Sequence, residues 1–189
     1  MTQTTTTPQV AVIGLGSMGM GVAQSLVRAG ITTRGLDINP ATKQAFVDAG
    51  GYAAKDLSDA VAGCNIIILM LVNSQQCDAV LFGEQGMANQ LPAGTIVVLC
   101  STTSASYARD LNVRLSALDL TMIDAPVSGG AAKAMTGDMS IMASGAPEAF
   151  AQCQTVFDAI SAKLYVVGDD VGAGESVKMV NQLLAGVHI

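Results

Sequence analysis

The run Val10-Ala11-Val12-Ile13-Gly14-Leu15-Gly16-Ser17-Met18-Gly19 decides the fold of this chain. Val10 to Ile13 is short and unbroken in its apolarity, as expected of a strand buried on both faces. Ser17 to Ala29 then reads as a helix, with Met18, Val22 and Leu26 four apart and Gly30 as its stop. Gly14, Gly16 and Gly19 form the turn between them. At this spacing the first glycine permits a tight turn, and the second lets a pyrophosphate approach the backbone. The third lets helix and strand pack closely. The helix N-terminus adds amide donors and a favourable dipole for phosphate.

Working outward, Thr32 to Leu36 is a second strand, and Asp37 stands at its end, eighteen residues past Gly19. A carboxylate there accepts hydrogen bonds from the adenine ribose hydroxyls and repels a 2′-phosphate. Ile38 and Asn39 supply no cation for such a phosphate, so NAD is expected in preference to NADP. The alternative is a purely structural glycine turn, with Asp37 a solvated strand end.

The alternation of strand and helix continues along the chain. Asn39 followed by Pro40 marks a helix start, and Gly50-Gly51 closes that helix. Further strands are expected at Asn65 to Leu71, Thr95 to Leu99, Leu120 to Ala125, Met139 to Ala143 and Leu164 to Val167. Helices are expected from Ser74, as N-cap, through Leu81, and from Ser104 to Leu118. Another is opened by Pro147, with Phe150, Cys153, Phe157 and Ile160 on one face. Strands separated by helices of this length imply an α/β fold, a doubly wound and mostly parallel sheet.

Composition narrows the function classes. Of 189 residues, 50% are hydrophobic and 13% charged, which excludes intrinsic disorder. A net charge of −6 and no basic stripe argue against nucleic acid as a partner. The longest apolar run, Ile66 to Val72, is too short to span a bilayer. Met1 to Pro8 is Thr-rich, lacks the features of a secretory signal, and reads as a frayed tail. Cys64, Cys77, Cys100 and Cys153 form no C-x-x-C pair, and His188 is the only histidine, so no metal site is expected. Reduced structural thiols in a cytoplasmic protein are the expectation.

Two further stretches carry chemistry. Asp124-Ala125-Pro126-Val127-Ser128-Gly129-Gly130 is a strand end followed by a loop of exposed amides and one hydroxyl. Such a loop can hold a carboxylate, or can be an ordinary turn. Gly172-Ala173-Gly174 precedes Lys178 early in a helix that carries no charge after it. A lysine there is either a solvated surface charge or a partly desolvated base able to exchange a proton with a hydroxyl. From Ser176 to Ile189 the apolar residues cover more than one face, the pattern of a buried helix. The chain is expected to stop partway through that helix, short of a second domain.

Together these stretches resemble the β-hydroxyacid dehydrogenase family, to which 3-hydroxyisobutyrate dehydrogenase and tartronate semialdehyde reductase belong. The resemblance runs from Val10 onward. It implies a Rossmann domain over residues 9–174 that binds NAD through Gly14, Leu15, Gly16, Ser17, Met18, Gly19, Asp37 and Ile38. Leu71, Val72, Ser101 and Thr102 fall where the family lines its nicotinamide pocket, with Val72 in place of a common proline. Ser128, Gly129 and Gly130 match the substrate loop, and Lys178 matches the catalytic lysine. Where the family often has asparagine or aspartate, four residues after the lysine, this chain has Gln182, preceded by Asn181. Lys178 to Ile189 looks most like the family branch that oxidises L-threonate, a four-carbon sugar acid, to its 2-keto acid.

The resemblance further implies that residues 175–189 begin a helix crossing into an all-helical second domain. That domain completes the active site and mediates homo-oligomerisation, so this chain alone is expected to turn over weakly or not at all. His188 is expected to pack at that interface or in the core. The implied reaction is NAD-dependent oxidation of a small hydroxy acid with Lys178 as general acid/base. 3-Hydroxyisobutyrate and tartronate semialdehyde are alternative substrates, and a non-catalytic NAD-binding module is the alternative from another class.

Overall fold

The computed structural model describes residues 8–187. Six strands run parallel: β1 (Gln9–Ile13), β2 (Thr32–Leu36), β3 (Tyr52–Ala53), β4 (Ile66–Leu69), β5 (Ile96–Leu99) and β6 (Thr121–Asp124). Their order across the sheet is β3-β2-β1-β4-β5-β6. The chain steps outward from β1 through β2 to β3, then returns to the other side of β1 at β4. That reversal opens a crevice at the carboxyl ends of β1 and β4, where open α/β sheets bind ligands. Beyond β6 lie β7 (Val127–Ser128), β8 (Met139–Gly145) and β9 (Ser161–Gly168). β8 runs antiparallel to β6 and β7 and parallel to β9.

Helices cover both faces: α1 (Ser17–Arg28), α2 (Pro40–Asp48), α3 (Leu57–Val61), α4 (Ser74–Phe82), α5 (Ala105–Ser116), α6 (Gly130–Thr136), α7 (Pro147–Ile160) and α8 (Ala173–Val187). Side chains alternate across the central strands, and each face has its own core. Val10, Val12, Ile66, Ile68, Ile96 and Val98 pack with Val22 and Leu26 of α1, Phe46 of α2, and Cys153 and Phe157 of α7. Ala11, Ile13, Ile67, Leu69, Val97 and Leu99 pack with Cys77 and Leu81 of α4 and Leu111 and Leu115 of α5. Each such aliphatic side chain contributes about 1.5–3 kcal/mol by leaving water, which is why apolar runs in this sequence become central strands. All four cysteines are buried and free.

Several expectations are corrected. The cap of α4 is Asn73, not Ser74; its side chain accepts the Gln76 amide, and Ser74 is the first helical residue. β3 and α3 occupy a stretch with no sequence assignment, and Asp56 caps α3 by accepting the Asp59 amide. β9 starts at Ser161, three residues before the expected Leu164, because α7 passes into it without a loop. α8 begins at Ala173, so the boundary drawn at residue 174 falls inside its first turn. Within the helix expected to be buried from Ser176 onward, Lys178 is buried while Met179, Val180, Leu183 and Val187 are exposed; Gly174 and Glu175, just before that stretch, are buried as well. The tail assigned to Met1 to Pro8 falls, except for Pro8, outside the described residues, as does His188. Among the described residues no helix is long and apolar enough to cross a membrane.

Candidate active site

The glycine turn sits at the crevice and each glycine has a distinct reason to be there. Gly14 has φ +94°, and a Cβ on it would lie 2.5 Å from the Met70 carbonyl oxygen. A Cβ on Gly19 would lie 1.9 Å from the Gly14 carbonyl oxygen, so the start of α1 can approach β1 only without a side chain. A Cβ on Gly16 would meet nothing within 4 Å, because this residue faces the open crevice. Gly16 is also the N-cap of α1 and brings no side chain to its free amides. Those amides remain available to an anion.

Asp37 closes the turn from the side. Its Oδ2 accepts the Leu15 amide at 2.7 Å and its Oδ1 accepts the Asn39 amide at 2.8 Å. Each oxygen keeps a lone pair for a diol. Around Asp37 lies a cavity of about 1000 Å³ lined by Gly14, Gly16, Leu36, fully exposed Ile38, and Leu57 of α3. Lys43 and Lys55 also line it. Neither lysine is adjacent to Asp37 in sequence: Lys43 lies in α2, and Lys55 lies between the short β3 and α3, which bring it to the crevice.

Leu71, Val72, Met70 and Gly16 border both this cavity and a second one of about 500 Å³. The second is lined by Gly16 to Gly19, Ser101, Thr102, Ser128, Gly129, Gly130 and Lys178. The Leu71 amide donates to Ser101 Oγ at 2.8 Å, joining the loops that follow β4 and β5. Val127 and Ser128 pair with Ile141 and Ser140 of β8, which fixes the start of this loop to the sheet. Gly129 and Gly130 hold φ of +134° and +71° at the start of α6, a conformation that favours glycine. The structure thus brings Ser128, Gly129, Gly130 and Lys178 to one cavity with the glycine turn. Asn181 and Gln182 are exposed on α8 and do not line it.

Lys178 is 7% exposed, and its Nζ donates to the Val127 carbonyl at 2.8 Å. Burial lowers its proton affinity below that of a free lysine, while Glu175 acts in the opposite sense. The helix that carries it is anchored by Asp124 at the end of β6. Asp124 Oδ2 accepts the amides of Gly172 and Glu175 and the Ser144 hydroxyl, at 2.9, 3.1 and 3.1 Å. A Cβ on Gly174 would lie 2.9 Å from that same oxygen, so the approach requires glycine. Glu175 is 1% exposed and binds the loop after β5. Its Oε1 accepts the Thr103 amide and hydroxyl at 2.7 and 2.9 Å. Burial is the main reason its carboxyl is pushed up to about 7, with Asp124 adding to the shift. The sequence reading missed Glu175, Asp124 as an anchor, Met70 and Cys100. A glutamate one helical turn before Lys178 was the only available signal.

These observations define a doubly wound dinucleotide-binding domain. The chain belongs to the family of the NAD binding domain of 6-phosphogluconate dehydrogenase, which matches residues 9–168. It is 50% identical over 181 residues to the L-threonate dehydrogenase of Haemophilus influenzae, covering 95% of this chain and 60% of that protein. The L-threonate dehydrogenase of Pectobacterium atrosepticum is 49% identical with the same coverage. The crystal structure of 3-hydroxyisobutyrate dehydrogenase from Salmonella typhimurium superposes with a TM-score of 0.91 at 42% identity. That match covers 96% of this chain and 63% of that one. The chain therefore spans about 60% of the length of the curated relatives it matches.

Proposed function

We propose that this chain supplies the cofactor half and the catalytic lysine of an NAD-dependent hydroxy-acid dehydrogenase, with L-threonate as substrate. The observation that carries this reading is the buried Lys178 amine, held at the wall of a cavity that also contains the glycine turn and the Ser128–Gly130 loop. An isolated NAD-binding module has no use for a lysine desolvated at that place. The likeness to L-threonate dehydrogenases supports the choice of substrate.

The residues fit the dinucleotide in three respects. Gly16 leaves the crevice open, the first amides of α1 are uncapped by any side chain, and Asp37 presents a fixed carboxylate at the ribose position. When bound, NAD supplies the acceptor for the hydride that leaves the hydroxyl carbon. Ser128 Oγ and the Gly129 and Gly130 amides hold the substrate carboxylate. Lys178 Nζ takes the hydroxyl proton, and burial, by lowering its proton affinity, favours the neutral amine that a base must be. Leu71, Val72 and Thr102 wall the nicotinamide side. The like charge of Asp37 disfavours the 2′-phosphate of NADP.

Turnover in this reading needs further protein beyond α8, which excludes water and holds the substrate in place. The exposed Met179, Val180, Leu183 and Val187 then pack within an oligomer in the cytoplasm. The test measures NAD and NADP binding to this chain by calorimetry. It also measures NADH formation by a chimera that continues α8 with the remainder of the Haemophilus influenzae relative. L-threonate, 3-hydroxyisobutyrate, L-serine and glycerate (with tartronate semialdehyde in reverse) are compared. Micromolar NAD binding and a preference for threonate are expected. A chimera that folds, binds NAD and oxidises none of these acids overturns the enzymatic reading.

A further inference from the structure

Glu175 is a buried carboxyl with no place in the reaction as described. It lies three residues before Lys178 on α8, one helical turn away. Its Oε1 carries two hydrogen bonds from Thr103, and its buried Oε2 has no hydrogen-bond partner among the described residues. Thr103 follows Thr102 and Ser101, which line the same cavity as Lys178. One side chain thus ties the lysine's helix to the loop forming the opposite wall, and a charge on it lies inside the protein rather than in water.

We propose that Glu175 is a positioning residue that also sets the protonation of Lys178: its carboxyl clips the lysine's helix turn to the loop after β5, and its negative charge holds the proton on the lysine. This rests on the reading of Lys178 as the proton-transfer group. The charges facing Glu175 can be named element by element. Asp124 of β6 opposes its ionisation and Lys178 of α8 favours it. Cys77 of α4 and Cys100 at the end of β5 feel its charge, and burial pushes both thiols up, so they stay neutral. On α5, Arg109 lies against Gly172, at the start of α8. Of the groups whose titration Glu175 moves, Lys178 is the one whose charge it supports.

The coupling has a chemical consequence in both directions. With Glu175 ionised, Lys178 is held as the ammonium, the form that donates a proton to a carbonyl being reduced. With Glu175 neutral, the lysine releases its proton more readily and is the base that oxidation of a hydroxyl needs. Coupling of this kind is reciprocal, so each group must move the other's titration by the same amount.

The chain has five lysines and three glutamates, so both groups can be followed in the intact protein by carbon-13 NMR of labelled lysine and glutamate side chains. In Glu175→Gln, which keeps an oxygen for Thr103, the Lys178 midpoint is expected to fall by about one pH unit, a tenfold change in proton affinity. In Lys178→Met, the Glu175 midpoint is expected to rise by the same amount. The second variant decides the matter if the first does not fold. An unmoved midpoint in a folded variant overturns the proposal. Reciprocal shifts, together with full turnover by a Lys178→Met chimera, keep the coupling and remove instead the catalytic reading of the lysine.

Discussion

Asp124 Oδ2 accepts the Gly172 amide across 2.9 Å, and so joins the end of β6 to the start of the helix that carries Lys178. The same oxygen takes the Glu175 amide, and none of these groups reaches water. Replacing Asp124 with alanine leaves two buried amides without an acceptor, at about 1–3 kcal/mol each. Asp124→Ala is therefore expected to lower the melting temperature by roughly 5–15 °C. NAD affinity is expected to hold, because the glycine turn and Asp37 are untouched. Calorimetric melting and NAD titration of the same sample check both statements.

Gly16 and Gly19 separate binding from stability. A methyl on Gly16 projects into the open crevice, so Gly16→Ala should melt within a degree or two of the parent. It should bind NAD at least tenfold more weakly, because the methyl occupies the approach to the turn. A methyl on Gly19 meets the Gly14 carbonyl at 1.9 Å and must push α1 from β1. Gly19→Ala should therefore lose several degrees of melting temperature. Equal effects of the two substitutions on melting would contradict this division.

Asp37 is expected to carry the choice of cofactor. Its alanine variant loses the acceptor for the Leu15 amide and the like charge facing a 2′-phosphate. NAD affinity should fall about tenfold or more, since hydrogen bonds to a charged group contribute about 1.5–3 kcal/mol. NADP affinity should fall less or rise, helped by Lys43 and Lys55 at the same cavity. Parallel titrations with both dinucleotides measure the ratio, and an unchanged ratio removes Asp37 from the specificity.

The central strands and the glycine turn were legible in the sequence because each rests on local physics. Val10 to Ile13 and Ile66 to Leu69 are apolar at every position, and only a strand covered on both faces uses them so. Helix caps with proline behind them, such as Asn39-Pro40, were equally plain. What escaped depends on contacts distant in sequence. Tyr52-Ala53 forms a strand only because Arg34 and Gly35 present an open edge to it. Glu175 resembles any helix-surface glutamate until Thr103, seventy-two residues away, is placed against it. Lys55 reaches the crevice through the same unassigned stretch.

Lys178 is expected to matter for rate and little for cofactor affinity. In a chimera that oxidises threonate, Lys178→Ala should lower kcat by about a hundredfold or more, as loss of a general base implies. NAD binding should stay within threefold, since Lys178 lines the smaller cavity and Asp37 the larger one. The variant also leaves the Val127 carbonyl without its lysine donor, so melting is recorded alongside. Wild-type turnover by the variant would reduce the lysine to a structural role.

The buried carboxyls give the fold an unusual pH dependence, and its sign follows from the direction of their shifts. Glu175 is pushed from about 4.5 up to about 7, and Asp124 is also raised, in both cases chiefly by burial. The unfolded chain ionises these groups at lower pH than the folded one does. Their neutral forms therefore favour the fold fully below the unfolded values, and this contribution is lost as pH rises through the folded ones. Asp59, held low chiefly by the Lys55 amide, ionises below the range of these two groups. The melting temperature should thus decline between about pH 5 and pH 7.5 and level off above. Glu175→Gln removes the larger part of that decline, and the residue of it belongs to Asp124. Melting curves of parent and variant across this range make the comparison, and a parent that gains stability from pH 5 to pH 7.5 would show that Glu175 is ionised in the fold throughout.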